Sequence, residues 1–269
     1  MTVAAISRQG VLVDLTRCIG CRACQVSCKQ WNDGPASRTK ASPDFTNPPA
    51  LNAATLTHVR FVERERDGAP AWSFVKSQCM HCNDPACASA CPVGAMQKTA
   101  SGAVTYDYDK CMGCRYCMMA CPFGVPTFEW DRVLPRVRKC SFCAERTENG
   151  MAPACVKTCP TGALVYGDRD QLLAEAERRI AASPAKYVDY VYGKTEAGGT
   201  GWMYISGVPF EQLGFRTNVP KEPLPALTWR SLSLVPYAAG ALVVGLSAVA
   251  AFRSRALDDG GEPKKGDRP

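Results

Sequence analysis

The chain has 269 residues, of which 46% are hydrophobic and 21% are charged, so it can form one large or two modest domains and is not a disordered protein. Its sixteen cysteines are many for an intracellular enzyme, but their density is below that of small disulfide-stapled secreted scaffolds. The formal charge of +7 is by itself typical of a nucleic-acid or acidic-membrane partner.

Short strands are predicted, in chain order, at GVLVDL, AVTYDY and ALVYGD, which are apolar runs bounded by Gly or Asp. THVRFVERE and AWSFVKS predict a strand pair, and residues 32–56, rich in Asn, Pro, Ala and Thr, predict an irregular surface insertion. RDQLLAEAERRIAAS predicts a helix, because Leu172, Ala176 and Ile180 recur at helical spacing. We interpret this stripe as core packing.

The C-terminal part of the chain predicts a transmembrane helix. Residues 231–252 carry no charge between Arg230 and Arg253, and at 1.5 Å per residue such a helix spans about 33 Å, enough to cross a bilayer core. The alternative, a buried core helix, is less consistent with the flanking arginines and the polar tail at 253–269. The opening MTVAAISRQG has no apolar run or paired arginines, so no signal peptide is expected.

The cysteines form four groups with related spacing. Each group begins C-x-x-C and closes C-x-x-x-C, and proline follows the last cysteine of groups II, III and IV. This repetition suggests duplicated ferredoxin-like modules. Group I is Cys18, Cys21, Cys24 and Cys28; group II is Cys79, Cys82, Cys87 and Cys91; group III is Cys111, Cys114, Cys117 and Cys121; group IV is Cys140, Cys143, Cys155 and Cys159.

Four zinc sites are the alternative explanation. A tetrahedral zinc site commonly takes two C-x-x-C pairs or histidines, whereas the chain has only two histidines and repeats the C-x-x-x-C ending in every group. The spacing therefore favours 4Fe-4S clusters, for which a C-x2-C-x2-C loop wraps one face and the fourth cysteine ligates another cluster. Spacing alone leaves open which groups exchange their fourth cysteines, although groups II and III, twenty residues apart, form the natural compact module.

From Cys18 to the apolar segment, the chain resembles the iron-sulfur (beta) subunit of membrane-bound molybdenum or tungsten oxidoreductases, above all of the formate dehydrogenase type. It is also similar to the ferredoxin-like subunit of membrane-bound nickel-iron hydrogenases. The motifs that carry the resemblance are CIGCRACQVSCKQWND, SQCMHCNDPACASACPVGA, DKCMGCRYCMMACPFGVP, RKCSFC, PACVKTCPTGA and GGTGWMYISGVPF, together with the C-terminal apolar helix.

The resemblance implies an α+β fold of duplicated bacterial-ferredoxin-like modules, with four 4Fe-4S clusters and one C-terminal transmembrane helix. It also implies that groups I and IV exchange their fourth cysteines, as do groups II and III. The implied ligand sets are Cys18, Cys21, Cys24 and Cys159; Cys140, Cys143, Cys155 and Cys28; Cys79, Cys82, Cys87 and Cys121; and Cys111, Cys114, Cys117 and Cys91. The expected domains are 1–184, with the module 79–121 inserted between groups I and IV; a loop-rich extension, 185–230; the transmembrane helix, 231–252; and a polar tail, 253–269.

Four oxidised clusters with their thiolates, at about −2 each, would lower the formal charge from +7 to about −1, so no nucleic-acid partner is expected. No dinucleotide fingerprint, P-loop or nucleophile triad is present, so we assign no catalytic residue. Four basic residues adjoin ligands and could raise cluster potentials or only balance charge: Arg17, Lys110, Arg115 and Lys139.

The expected function is a non-catalytic relay in anaerobic respiration. Electrons would pass from a large catalytic subunit, most consistently a molybdenum or tungsten formate dehydrogenase, to a cytochrome b or other quinone-reactive subunit in the bilayer. One alternative is the same relay in a nickel-iron hydrogenase. The other is a zinc-structured anchor protein that transfers no electrons. The resemblance and the basic residues after the helix imply an inner-membrane location, with the cluster domain periplasmic and the C-terminus cytoplasmic.

Overall fold

The computed structural model describes residues 8–36, 39–40, 42–66 and 68–259, and its mixture of short helices and strands confirms the α+β class. The strands are β1 Gln9–Asp14, β2 Thr57–Arg66, β3 Ala69–Gln78, β4 Met96–Lys98, β5 Val104–Tyr106, β6 Thr127–Phe128, β7 Val137–Arg138, β8 Leu164–Asp168 and β9 Trp202–Ile205. The α-helices are α1 Ala23–Trp31, α2 Ala86–Ser89, α3 Tyr116–Ala120, α4 Ala144–Glu148, α5 Ala154–Lys157, α6 Arg169–Ala182, α7 Leu224–Leu232 and α8 Val235–Asp259. The chain divides into two units, Met1–Pro225 and Ala226–Pro269.

A three-stranded sheet in the order β8-β1-β9 organises the core of the first unit. β1 pairs antiparallel with β8 and parallel with β9, so that Val11 lies opposite both Tyr166 and Trp202. Because side chains alternate along a strand, Val11 and Val13 pack on one face of the sheet and Leu12 packs on the other. β1 is therefore buried on both faces, which explains its continuous apolar sequence.

Helix α6 covers the face of the sheet that carries Leu12. It begins where the carboxylate of Asp168 accepts hydrogen bonds from the backbone N–H groups of Asp170 and Gln171, both at 2.9 Å. The three apolar residues of the predicted stripe are buried against β1 and β9. The prediction of a helix with a core-packing stripe is confirmed.

The predicted strand pair is a ten-residue antiparallel hairpin, β2–β3, which runs from Thr57 opposite Gln78 to Arg66 opposite Ala69. The chain before it forms turns and bends in the described residues of 32–56, as predicted. The base of the hairpin is buried, whereas the β3 residues next to the turn are exposed. The hairpin therefore inserts one end into the interior of the first unit, close to the cysteine loops.

Four short helices carry cysteines, and they pack in two pairs. Helix α1 of group I packs against α5 of group IV, and α2 of group II packs against α3 of group III. The small antiparallel ladders β4–β5 and β6–β7 lie next to groups II, III and IV in the chain. The two helix pairs bring groups I and IV together and groups II and III together.

The segment 185–225 differs from the separate extension expected from the sequence. All four residues of β9 are buried and pair with β1. The ring of Tyr192 stacks on Phe210 at 5.4 Å and meets Phe215 edge-on at 4.7 Å. Because these residues complete the central sheet and its core, the first unit ends at Pro225 and not at residue 184.

The second unit consists mainly of α7 and α8. One helical stretch, Leu224–Arg255, is long and apolar enough to cross a membrane, and no part of its apolar window is buried. α8 continues through Asp259, so the first residues of the predicted polar tail are helical. Residues 260–269 of that tail lie outside the described residues.

Candidate iron-sulfur sites

All sixteen predicted ligands lie in the described part of the chain, and none forms a disulfide. Helix α1 carries Cys24 and Cys28, whereas α2, α3 and α5 carry Cys87, Cys117 and Cys155. The other cysteines lie in the loops and turns beside these helices. Each group therefore combines a loop with a short helix.

Every C-x-x-C loop turns at the residue before its second cysteine, where φ is positive: Gly20 at 69°, His81 at 51°, Gly113 at 75° and Phe142 at 62°. This left-handed turn points backbone N–H groups toward the thiols. The N–H of Phe142 donates to Sγ of Cys140 at 3.3 Å, and that of Gly113 donates to the first thiol of its own group at 3.4 Å. N–H donors of this kind stabilise thiolates that ligate iron.

Cys18 and Cys24 of group I have the other thiols of their group as neighbours, and Cys18 also lies near the last thiol of group IV. Burial raises the pKa of Cys18, and the nearby thiols of Cys159 and Cys21 raise it further. Burial also raises the pKa of Cys24 to about 11, with Cys18 and Cys21 among the contributors. Four thiols from the two ends of the cluster domain are therefore neighbours.

The fourth thiol of group I has other neighbours. Burial raises the pKa of Cys28 to about 12, and the thiols of Cys155 and Cys143, both in group IV, add to this shift. Cys28 is also the thiol that most strongly raises the pKa of the buried Cys140. Cys28 thus lies with the first three cysteines of group IV.

Thiols of groups II and III are neighbours in the same way. Burial places the pKa of Cys82 well above its usual value, and the thiols of Cys79, Cys121 and Cys87 raise it further. Cys121 is the last cysteine of group III, whereas the other three belong to group II.

The remaining thiols are neighbours of Cys117. Burial raises its pKa to about 11, and the contributing thiols are Cys111, Cys91 and Cys114. Sγ of Cys91 accepts a hydrogen bond from the backbone N–H of Ala95 at 3.2 Å. The last cysteine of group II therefore lies among the first three cysteines of group III.

The four sets of thiols adjoin one another in a row. Three pairs of cysteines connect neighbouring sets, because a thiol of one set raises the pKa of a thiol of the next. Cys155 raises the pKa of Cys24, Cys79 that of Cys140, and Cys117 that of Cys87. The row starts at the site of Cys18 and ends at the site of Cys111.

The cavity beside Cys28 has features expected of a binding site for a sulfur-rich group. Cys28, Cys140, Cys143 and Cys155 line one cavity together with Trp202. The Trp202 side chain is fully buried, and its indole N–H has no hydrogen-bond partner among the described residues. A buried donor of this kind needs an acceptor, and the sulfur atoms of a 4Fe-4S cluster are such acceptors.

The donor atoms of the candidate sites are cysteine sulfurs, which bind both zinc and iron-sulfur clusters. Four sulfurs bound at 2.3 Å to one tetrahedral zinc lie about 3.8 Å apart. Within the described ranges, no three His, Cys, Asp or Glu side chains converge closely enough to hold one metal ion. An all-cysteine donor set suits zinc or an iron-sulfur cluster, and the C-x2-C-x2-C-x3-C spacing of groups I and III is that of iron-sulfur clusters.

Of the four basic residues singled out in the sequence, only Lys139 is buried. Its ammonium donates to the carbonyl oxygens of Val104 and Cys140. Lys110 forms an exposed ion pair with Asp107 at 3.0 Å, and the two arginines are likewise not buried.

Lys76 is a buried cation beside the cysteines, and it was not predicted from the sequence. It lies on β3 with 2% of its surface exposed and lines the same cavity as the four thiols around Cys28. The only sequence signal is its position within an otherwise inward-facing end of a strand, three residues before Cys79. That signal does not distinguish a buried lysine from an exposed one.

Comparison with known proteins supports this chemistry. Two family models, both described as 4Fe-4S dicluster domains, match residues 17–95 and 70–169. Two dicluster domains and sixteen cysteines correspond to four 4Fe-4S clusters, as predicted.

Several relatives are similar over most of the chain. The nitrate-inducible formate dehydrogenase iron-sulfur subunit of Escherichia coli K12 is 40% identical, over 79% of this chain and 72% of that protein. The formate dehydrogenase iron-sulfur subunit of Haemophilus influenzae is 38% identical, over 86% and 75%. The hydrogenase-2 operon protein HybA of Escherichia coli O157:H7 is 35% identical, over 76% and 71%. With these similarities and its four cluster sites, the chain belongs to the family of iron-sulfur subunits that includes those of formate dehydrogenases.

Proposed function

We propose that the chain relays electrons from the catalytic subunit of a formate dehydrogenase to a quinone-reactive subunit in the membrane. When bound, 4Fe-4S clusters supply one-electron carriers. The observation that carries the proposal is the row of four adjoining sites, because a relay needs consecutive carriers close to one another. A store of metal, or four separate structural sites, would not require adjoining positions.

The ligand sets proposed for the row follow from the neighbouring thiols described above. In order, they are Cys18, Cys21, Cys24 and Cys159; Cys28, Cys140, Cys143 and Cys155; Cys79, Cys82, Cys87 and Cys121; and Cys91, Cys111, Cys114 and Cys117. The packing of α1 on α5 and of α2 on α3 supports both exchanges.

The protein contributes shielding and hydrogen bonds to these sites. The eight cysteines of the two middle sets include six that are buried: Cys28, Cys140, Cys143, Cys155, Cys79 and Cys87. In the two outer sets, Cys117 is the one buried cysteine. The sites at the ends of the row are therefore nearer to solvent, where partner subunits can approach, and the middle sites are enclosed.

The catalytic partner is proposed from the relatives, since they include formate dehydrogenase subunits at 38–40% identity. The similarity to HybA, at 35% identity, favours a hydrogenase as the second candidate. Purification of the native complex, with metal analysis of its large subunit, separates the two. Molybdenum or tungsten with formate oxidation supports the first candidate, whereas nickel with hydrogen oxidation overturns it.

We further propose that the helical stretch Leu224–Arg255 anchors the chain in the inner membrane and contacts a membrane partner such as a cytochrome b. Its glycines, Gly240 and Gly245, have open space where a Cβ would lie, which permits close approach of a partner helix. Arg253 and Arg255, with Lys264 and Lys265 in the sequence, follow the apolar window and favour a cytoplasmic C-terminus. The cluster domain would then be periplasmic.

Reporter fusions at the C-terminus test this orientation. A fluorescent protein, which folds in the cytoplasm, should be active after residue 269, and a periplasmic phosphatase should be inactive there. The reverse pattern overturns the proposed topology, and recovery of the full chain in the soluble fraction overturns the anchor itself.

A further inference from the structure

Lys76 is held in the interior by neutral partners. Its ammonium donates to Oγ1 of Thr57 and to Oε1 of Gln78, both at 2.8 Å, and it lies 4.3 Å from the centroid of the Trp202 ring. Only 2% of the residue is exposed. A lysine buried in this way needs a compensating negative charge, because a buried unpaired ion is costly.

The groups placed to supply that charge are cysteines from two different sites, which are negatively charged when they ligate iron as thiolates. Burial acts to lower the pKa of Lys76, but Cys155, Cys24, Tyr204 and Cys140 oppose this and the net shift is upward. The four strongest of these opposing groups include no carboxylate. Cys24 belongs to the first site of the row, whereas Cys155 and Cys140 belong to the second.

Lys76 in turn influences the pKa values of cysteines in both sites. Lys76 is the charge that most strongly opposes the raised pKa of Cys24 and of Cys28. It also acts to lower the pKa of Cys18 and of Cys143, which belong one to each of the same two sites. By contrast, the strongest cationic influence on the pKa of Cys82 in the third site is Lys98, and on that of Cys87 it is Lys139.

We propose that Lys76 is the shared counter-charge of the first two cluster sites, those of Cys24 and Cys28, and that it raises the reduction potentials of both. This inference rests on the ligand sets proposed above. Each one-electron reduction adds one negative charge to a cluster and its thiolates, and a fixed cation nearby stabilises the reduced form more than the oxidised form. In an interior of low dielectric constant, this effect is much larger than that of a solvated surface charge.

The test is a redox titration of the purified complex, followed by EPR, with each signal assigned to its site by a serine variant of one ligand. Lys76→Met removes the charge and keeps the length of the side chain. Lys76→Gln also removes it but retains a group that can donate to Thr57 or Gln78. Lys157→Met is the matched control, because it deletes the same charge from an exposed lysine between Cys155 and Cys159.

The expected result is that either Lys76 variant lowers the potentials of the first two sites, with at least a tenfold change in each reduction equilibrium constant, which is 59 mV for one electron. The third and fourth sites, and all four sites in Lys157→Met, should keep their potentials. Unchanged potentials in Lys76→Gln with four clusters present, or an equal shift at all four sites, overturn the inference. Absence of 4Fe-4S signals from the unsubstituted protein would instead overturn the proposed function.

Discussion

Cys79 and Cys140 lie in the same buried cluster, packed with Val125, although they open the second and fourth cysteine groups. The Cys79 thiol is among the charges that raise the pKa of the buried Cys140. Through these two residues, the cysteines of groups I and IV adjoin those of groups II and III. Two ferredoxin-like modules thereby become one continuous row.

The proposed exchange of ligands predicts the effect of Cys28→Ser. The site of Cys140, Cys143 and Cys155 should lose or change its EPR signal, because it loses its fourth thiolate. The site that begins at Cys18 should keep its signal.

Cys159→Ser is the mirror control for that experiment. It should change the Cys18 site and leave the Cys140 site intact. If each variant instead damages only the site of its own sequence group, the exchanged ligand sets are wrong.

The C-x-x-C loop of group I depends on Gly20. Its φ is 69°, and a Cβ there would lie 2.7 Å from the ring of Phe74. Gly20→Ala should therefore cost more than the ~1–2 kcal/mol of a left-handed alanine and reduce the iron content of the first site.

Gly150→Ala is the matched control for Gly20→Ala, because Gly150 has the same φ of 69° with open space around its Cβ position. It should lower the free energy of unfolding only by the cost of a left-handed alanine, and it should retain full iron content. Chemical unfolding and iron analysis of the two variants separate the steric effect from the backbone effect, and equal losses would contradict the role of Phe74.

Because His58 is buried, we expect the folded protein to lose stability in acid. Its ring is 4% exposed, and neither of its nitrogens has a partner among the described residues. Burial, with Arg60 and Lys76 nearby, lowers its pKa from 6.5 to about 4. Since the unfolded chain binds a proton at higher pH than the folded chain, the stabilising contribution is present above pH 6.5 and is lost as the pH falls toward 4.

His58→Phe should remove that part of the pH dependence. Thermal unfolding at several pH values between 7 and 4 measures it, with the unsubstituted protein as the reference. An identical slope in the two proteins would mean that His58 does not titrate on unfolding.

The stability of helix α6 should depend on its N-terminal cap, Asp168. Asp168→Ala removes the acceptor for two backbone N–H groups and should lower the free energy of unfolding by about 1 kcal/mol. Asp168→Asn retains a capping oxygen and should cost less. Denaturant unfolding tests the difference, and equal losses in both variants would assign the effect to charge instead of the cap.

The sequence predicted the parts of the structure that local patterns determine. The cysteine groups, the β2–β3 hairpin and α6 follow from spacing, alternation and helical periodicity. β9 was not predicted as part of the core, because its partner β1 lies at the opposite end of the first unit in sequence. Parallel pairing over that separation leaves no local signal.

Two features of the sites also lie beyond sequence patterns. His81 and Phe142 occupy left-handed positions that Gly20 and Gly113 fill in the other groups, and their rings pack 4.9 Å apart. Lys76 is buried because the hairpin places it at the cavity that Cys28, Cys140, Cys143 and Cys155 line. Both features arise from tertiary packing, which brings together residues that are distant in the chain.

The central claim is that the chain carries four 4Fe-4S clusters as electron carriers. The most direct measurement is iron and acid-labile sulfide analysis of the purified protein together with EPR of its dithionite-reduced form. About sixteen irons and sixteen sulfides per chain are expected, since each of four clusters holds four of each, with magnetically interacting 4Fe-4S signals that appear on one-electron reduction. Stoichiometric zinc with no EPR signal would contradict it.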